Sequence, residues 1–338
     1  MERDAPPVLA LTGIAKRFPG VVALDGVDLE LRAGVVHALT GENGSGKSTL
    51  ARIACGALTP DAGVVAVDGV ARAIASPKDA LALGIVTISQ ELTLAPALSV
   101  AENVFLGRLP RARFGRIDWP RLRADARAVL DGLGVDVDER RAVGTLGAEL
   151  RQEVEIARAV SSPARVLILD EATSSLSAGA TDRLLEAVER RRAGGAAILM
   201  ISHRMSELYR AASVATVLRD GRRVGGDVPL PATPERELVR LMVGRELRDF
   251  YRKRAIPAGA TVLEVDGLRT PDGRLRPTSF AVRRGEIVGV AGLVGSGKAE
   301  LGLALAGAIP SAGRVRVGGR DADLSAPRRA LAGGIGFV

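Results

Sequence analysis

The chain has 338 residues, with 47 lysines and arginines against 39 acids for a formal net charge of +8, one cysteine, two histidines, and aromatics at 3%. Apolar content of 47% and charged content of 25% match globular proteins and exclude a disordered or fibrous chain. Cys55 is alone and cannot close an internal disulfide, so a stapled secreted fold is excluded and a reducing compartment is favoured.

The opening residues Met1 to Pro7 are polar and proline-broken, unlike a secretory signal. Apolar runs such as Ala196 to Ile201 and Ile287 to Val294 fall well short of the roughly 18 residues a membrane helix needs, so no bilayer span is expected. The basic excess is mostly arginine, spread along the chain and interleaved with acids, which is the pattern of solvated faces. Acidic lipid headgroups or nucleic acid are the sharper alternatives. With no aromatic platform and no recognised nucleic-acid motif, a nucleic-acid partner is not expected.

In chain order, the first strong signal is the apolar run Val35 to Leu39, which predicts a strand. It leads into Gly41, Glu42, Asn43, Gly44, Ser45, Gly46, Lys47, Ser48 and Thr49, and Thr49 to Cys55 then predicts a helix ending at Gly56. Strand, glycine loop and helix are the context of a phosphate-binding loop. The glycines let backbone N–H groups turn onto phosphate oxygens, and the helix adds its positive N-terminal end. Lys47 would reach the β and γ phosphates, and the Ser48 hydroxyl would ligate magnesium.

The β-rich run Ile85 to Ile88 precedes Gln90, which could sense magnesium and water from a loop. Val166 to Leu169 predicts a parallel strand buried on both faces and ends in Asp170 and Glu171, where α/β sheets place ligands. Asp170 could hold magnesium through water, and Glu171 could polarise an attacking water as general base. Ala196 to Ile201 predicts a third strand ending in Ser202 and His203, and His203 could hydrogen-bond a γ-phosphate. His37, inside an apolar strand, is expected to be structural.

The segment Gly41 to Thr49 recurs as Gly292 to Glu300, offset by 251, and the match extends to neighbouring pairs such as Cys55-Gly56-Ala57 with Ala306-Gly307-Ala308. The chain therefore reads as one complete unit and the opening of a second, whose counterpart of Gln90 would fall past Val338. Between them, prolines bracket a helical pattern from Glu235 to Phe250 with Leu238, Leu241, Met242 and Leu247 roughly on one face. The expected organisation is a first domain at 1–234, a linker helix region at 235–258 and a partial second domain at 259–338.

Taken in this order, the motifs resemble the nucleotide-binding subunits of ABC transporters, and more narrowly the tandem ATPases of bacterial monosaccharide importers of the ribose, galactose and xylose type. The narrower marks are Phe18-Pro19-Gly20-Val21, Ser89-Gln90-Glu91-Leu92, Ala101 to Arg108, Ile201-Ser202-His203-Arg204-Met205, and Leu241 to Arg245. The resemblance implies an α/β P-loop NTPase fold with an antiparallel β subdomain and a helical subdomain, followed by the N-terminal part of a second such domain. It implies ATP and magnesium as cofactors, with Phe18 stacking on adenine, Gly41 to Thr49 forming the phosphate loop, Gln90 coupling the site to the membrane, Asp170 as the acid on the metal, Glu171 as catalytic base and His203 as the switch histidine. By the same resemblance, Ser48, Gln90 and Asp170 would surround the metal.

The implied partners are transmembrane permease subunits, a second nucleotide-binding domain or a second copy, and indirectly a periplasmic or extracellular sugar-binding protein. The implied location is the cytoplasmic face of the membrane. Five positions, in three places, depart from the family pattern. Gly147 and Glu149 replace the serine and glycine of the signature loop, Ala299 stands where the second loop needs a hydroxyl, and Ala172 and Ser177 replace the usual proline and aspartate. In the family's head-to-tail arrangement the first two fall in one composite site, which should bind weakly, and the chain alone should hydrolyse ATP slowly. An ABC-type ATPase working on ribosomes or nucleic acid, or an inactive remnant, are the alternative readings.

Overall fold

The computed structural model describes residues 6–88, 93–174, 176–244, 259–292 and 295–338. Two compact units divide the chain, Met1–Leu247 and Arg248–Val338. The first begins with an antiparallel hairpin, β1 (Leu9–Phe18) and β2 (Val21–Leu31), followed by β3 (Val36–Gly41) and α1 (Lys47–Ala54). β4 (Ala62–Val67) and β5 (Val70–Ala71) complete a four-stranded sheet in the order β2-β1-β4-β5. Alternate residues of β2, from Val27 through Leu29 to Leu31, are buried, the period expected of a sheet with one covered face.

Then come α2 (Pro77–Ala82), β6 (Ile85–Ile88), α3 (Val100–Val104), α4 (Trp119–Gly132) and α5 (Ala148–Ser161). The helix starts are written locally. Ser76 and Asp118 cap α2 and α4 through their side chains, and Ser99 with Glu102 forms a reciprocal capping box on α3. β7 (Val166–Asp170), α6 (Ala178–Ala193), β8 (Ala197–Ile201), α7 (Met205–Ala211) and β9 (Val214–Arg219) follow, with two short strands, β10 (Arg222–Arg223) and β11 (Val228–Pro229), both paired to β9.

The second sheet runs β10-β9-β3-β8-β7-β6, and every pair from β9 to β6 is parallel. All residues of β7 and β8 are buried, as two-sided coverage requires. Their side chains divide by parity between two cores. Val166, Ile168, Ala197 and Leu199 join the antiparallel sheet and α1, while Leu167, Leu169, Ile198 and Met200 join residues of α5, α6 and α7.

The helix expected over 235–250 is α8 (Glu235–Val243), and it stops at Gly244, whose φ of 77° is a left-handed C-terminal cap; the rest of that pattern lies outside the described residues. Leu238 is fully buried, Leu241 and Met242 pack on the same core, and the Thr40 hydroxyl donates to Met242 Sδ at 3.3 Å. α8 is therefore packed onto the first unit's sheet.

The second unit repeats the opening of the first. Strands β12 (Thr261–Arg269), β13 (Thr278–Arg283), β14 (Ala312–Val317) and β15 (Arg320–Asp321) form an antiparallel sheet in the order β13-β12-β14-β15, accompanied by α9 (Lys298–Leu305) and α10 (Pro327–Ala332). Its core is small, centred on Val265, Leu268, Leu301, Ala304 and Val315. Residues 287–292, which the repeat aligns with β3, form no strand, and Ile287 is 98% exposed.

Candidate functional site

Parallel register brings three chain segments to one edge of the sheet. Leu39 of β3 and Asp170 of β7 both pair with Ile201 of β8. The glycine loop after β3, Asp170-Glu171 after β7 and Ser202-His203 after β8 therefore leave the sheet together at its carboxyl end, where α/β folds bind ligands.

The loop's glycines are required by contact as well as conformation. A Cβ on Gly41, whose φ is 153°, would lie 2.2 Å from the Leu218 carbonyl oxygen, and one on Gly46, at φ 103°, would lie 2.5 Å from that of Ala23. Gly46 caps α1 without any side-chain hydrogen bond, so the first amides of the helix are left for an anion. Inside the loop, the Ser45 hydroxyl is buried with no hydrogen-bond partner. An orphaned donor in a glycine loop at a helix N-terminus is what a phosphate oxygen satisfies.

Lys47 folds back over the loop, its Nζ donating to the carbonyls of Gly41 and Glu42 at 2.9 Å each. Burial lowers its pKa, and the charges of Glu171 and Asp170 oppose that shift. Ser48 Oγ donates to Asp170 Oδ1 at 3.3 Å. Asp170 has its pKa raised, chiefly by burial and then by the charge of Glu171, with the Ser48 hydrogen bond working against the rise. A half-desolvated carboxylate beside a hydroxyl is a donor set suited to a hard cation. Among the described residues no three His, Cys, Asp or Glu side chains converge. Magnesium here would draw its other ligands from phosphate and water.

Glu171 is one of few non-glycine residues with positive φ, at 52°, a strained conformation of the kind that concentrates at working sites. Its N–H donates to Ile201 O at 3.0 Å, tying it to the end of β8. Its carboxylate lies 3.9 Å from Nδ1 of His203, whose side chain is 60% exposed. The structure thus brings Gly41 to Thr49, Asp170, Glu171 and His203 to one sheet edge. Phe18 ends β1 in the hairpin with β2, 43% exposed, with the Lys16 ammonium 5.9 Å from its ring centre. The same hairpin meets the loop through Ala23 and Leu24, which crowd Gly46. Gln90 lies outside the described residues.

One residue that sequence reasoning passed over holds this edge together. Glu207, buried in the first turn of α7, accepts from the Thr173 and Ser202 hydroxyls at 2.8 Å each. It joins the loop carrying Glu171 to the loop carrying His203. The available signal was an acid four residues past the histidine, in the first turn of a helix. Glu149 of the signature loop also has a partner within the chain. Its carboxylate accepts from the Ser177 N–H at 3.0 Å, at the start of α6, and hydrogen bonding to Ser177 lowers its pKa.

Sheet, loop and acidic strand end together define a P-loop nucleotide-binding cassette. Residues 24–174 match the family model described as ABC transporter. The chain thus carries an ABC transporter domain over those residues. It is 48% identical over 337 residues to the ribose import ATP-binding protein RbsA 2 of Streptomyces coelicolor, covering 99% of this chain and 64% of that protein. It is 43% identical to the putative ribose/galactose/methyl galactoside import ATP-binding protein 1 of Burkholderia cenocepacia, covering 98% of this chain and 63% of that protein. The chain thus spans a little under two thirds of the length of these relatives. Among solved structures it resembles a nucleotide-free ATP-binding cassette from an ABC transporter, with a TM-score of 0.58 at 24% identity over 70% of this chain and 95% of that one. An ATP-binding subunit of an ABC transporter gives 0.58 at 22% identity over 71% and 96%. At such identities these structures establish the fold alone.

Proposed function

We propose that this chain binds and hydrolyses ATP and, as part of a sugar importer, energises a separate membrane permease from the cytoplasmic face. The observation that carries the reading is the convergence of Lys47, the orphaned Ser45 hydroxyl, the Ser48–Asp170 pair and strained Glu171 at one sheet edge. Loop amides and Lys47 would bind the phosphate tail, and Phe18 would offer its exposed ring to the adenine. Magnesium, held by Ser48 and by Asp170 through water, would neutralise charge on the phosphates. Glu171 would take a proton from water attacking the γ-phosphorus, as the bond to the β–γ bridging oxygen breaks. His203 would hydrogen-bond the departing phosphoryl group, and Glu207 would keep Glu171 and His203 in register.

The sugar-import assignment rests on the names of the relatives, and no described helix is long and apolar enough to cross a membrane. Permease subunits, a second cassette and, indirectly, a sugar-binding protein are therefore the partners we propose. Purified protein should take up labelled ATP in a magnesium-dependent manner and lose that uptake on Lys47→Ala. Glu171→Gln should retain binding and lower turnover of bound ATP by about a hundredfold or more. ATP uptake indifferent to Lys47, or turnover indifferent to Glu171, would remove the basis of the reading. Copurification with a hydrophobic permease, as opposed to RNA, tests the importer assignment.

A further inference from the structure

We propose that residues 111–123 form a contact for anionic lipid: a turn tipped by Phe114 and flanked by arginines that seats on a bilayer surface. This stretch holds five arginines, 111, 113, 116, 121 and 123, against Asp118 as its one acid. All five are exposed. Asp118 is already committed, its carboxylate accepting from the Arg121 N–H to cap α4. Arg121 also lies 3.6 Å from Asp125, and Arg111 donates to the Gly115 carbonyl at 2.8 Å.

The turn is built to project. A bridge between Arg111 and Ile117 closes it, Ala112 N–H donates to Arg116 O at 2.7 Å, and Asp118 N–H donates to Pro110 O at 2.9 Å. At its tip Phe114 adopts φ 61° and ψ 23°, left-handed backbone unfavourable for an aromatic residue, and it is 98% exposed. An exposed, strained phenylalanine gains no packing within this chain in return for its conformation, and such strain marks sites held for a purpose. Trp119, 41% exposed, opens α4 on the same segment.

One apolar tip between guanidinium groups suits a charged interface. The ring can enter the headgroup–acyl boundary while the arginines remain among lipid phosphates. Recognition of single-stranded nucleic acid would instead call for rings set as stacking platforms in a basic groove, and no groove surrounds a ring whose surface is almost wholly free.

The inference rests on the proposal that the chain works beside a bilayer, and the two can fail separately. The 338-residue chain would be sedimented with phosphatidylcholine vesicles, with and without about a third phosphatidylglycerol. Binding is expected to anionic vesicles only and to weaken as salt screens the charges. Replacing Arg111, Arg113 and Arg116 together by alanine should lower vesicle affinity about a hundredfold, and Phe114→Ala about tenfold with the salt dependence preserved. Both variants should keep magnesium-dependent ATP uptake, which reports an intact fold and the nucleotide site. Equal binding to neutral vesicles, no binding to either, unchanged binding by the variants, or arginine-dependent binding to single-stranded RNA in preference to vesicles would each overturn the assignment. Loss of ATP uptake in the unmodified chain would instead strike the proposed activity.

Discussion

In the first unit the glycine before the loop lysine, Gly46, has φ 103°, and in the second its repeat, Gly297, has φ 91°; each opens an eight-residue helix. A Cβ at the first loop glycine would press on a serine hydroxyl in both, 2.6 Å away at Gly41 and 2.5 Å at Gly292. The antiparallel sheets share one strand order. Beyond these local likenesses the units part. β3 lies between β8 and β9 and buries Lys47, whereas residues 287–292 have no strand beside them among the described residues and Lys298 is exposed. A glycine loop is set by its own dihedrals, but a parallel strand needs neighbours delivered by crossover connections from distant sequence. β8 and β9 begin more than a hundred residues after β3.

Substitution of the loop glycines should break the likeness most visibly. Gly41→Ala forces a Cβ onto the Leu218 carbonyl, a backbone atom that cannot turn aside, and should cost about 4 kcal/mol by combined strain and overpacking. Gly292→Ala meets the Ser296 side chain and should cost less than about 1 kcal/mol. Urea denaturation of the two variants compares them directly, and equal costs would mean that the two loops are equally enclosed.

Acid should separate the units next. The repeat pairs buried His37 of β3 with Val288. His37 Nε2 lies 2.8 Å from the Thr216 hydroxyl, which donates to Asp227, and burial lowers the imidazole pKa from 6.5 to about 4 despite the attraction of Asp227. The folded unit keeps this histidine neutral where the unfolded chain has already taken up a proton. Stability is thus fully present above pH 6.5 and lost as pH falls toward 4, by up to about 3 kcal/mol. His37→Gln should flatten that part of the stability–pH curve for the first unit. A slope unchanged by the substitution would assign the acid sensitivity elsewhere.

The smallest contrast lies on the surface. Arg165 grips Asp68 with two contacts of 2.6 Å, whereas the repeat places Gly318 at the position of Asp68. Both partners are about half exposed, so Asp68→Ala should cost under about 1 kcal/mol and shift the melting temperature of the first unit only slightly. A larger loss would show that this bridge braces β7, which it precedes.

The placement of the glycine loop, Asp170-Glu171 and His203 at strand ends was legible because each follows an apolar run, and alternation or continuity of apolar residues reports a strand from neighbouring residues alone. The repeat was legible because the glycine loop and its neighbours recur at a near-constant offset, and the burial of His37 followed from its apolar strand. Glu207 and the Glu149–Ser177 contact were not, since both join segments far apart in the chain and no spacing encodes them. Of the helical pattern that begins at Glu235, the described part is α8, Glu235–Val243, which left-handed backbone at Gly244 caps.

By itself the sequence determined the local conformations: where glycines turn, which side chains cap, which runs are strands and where the loop lysine stands. Tertiary structure alone decided which of two like loops is enclosed, which hydroxyl is left unpaired within it, and which carboxylates are desolvated. Those properties depend on what lies on the far side of each strand, and chains separated by a hundred or more residues supply it.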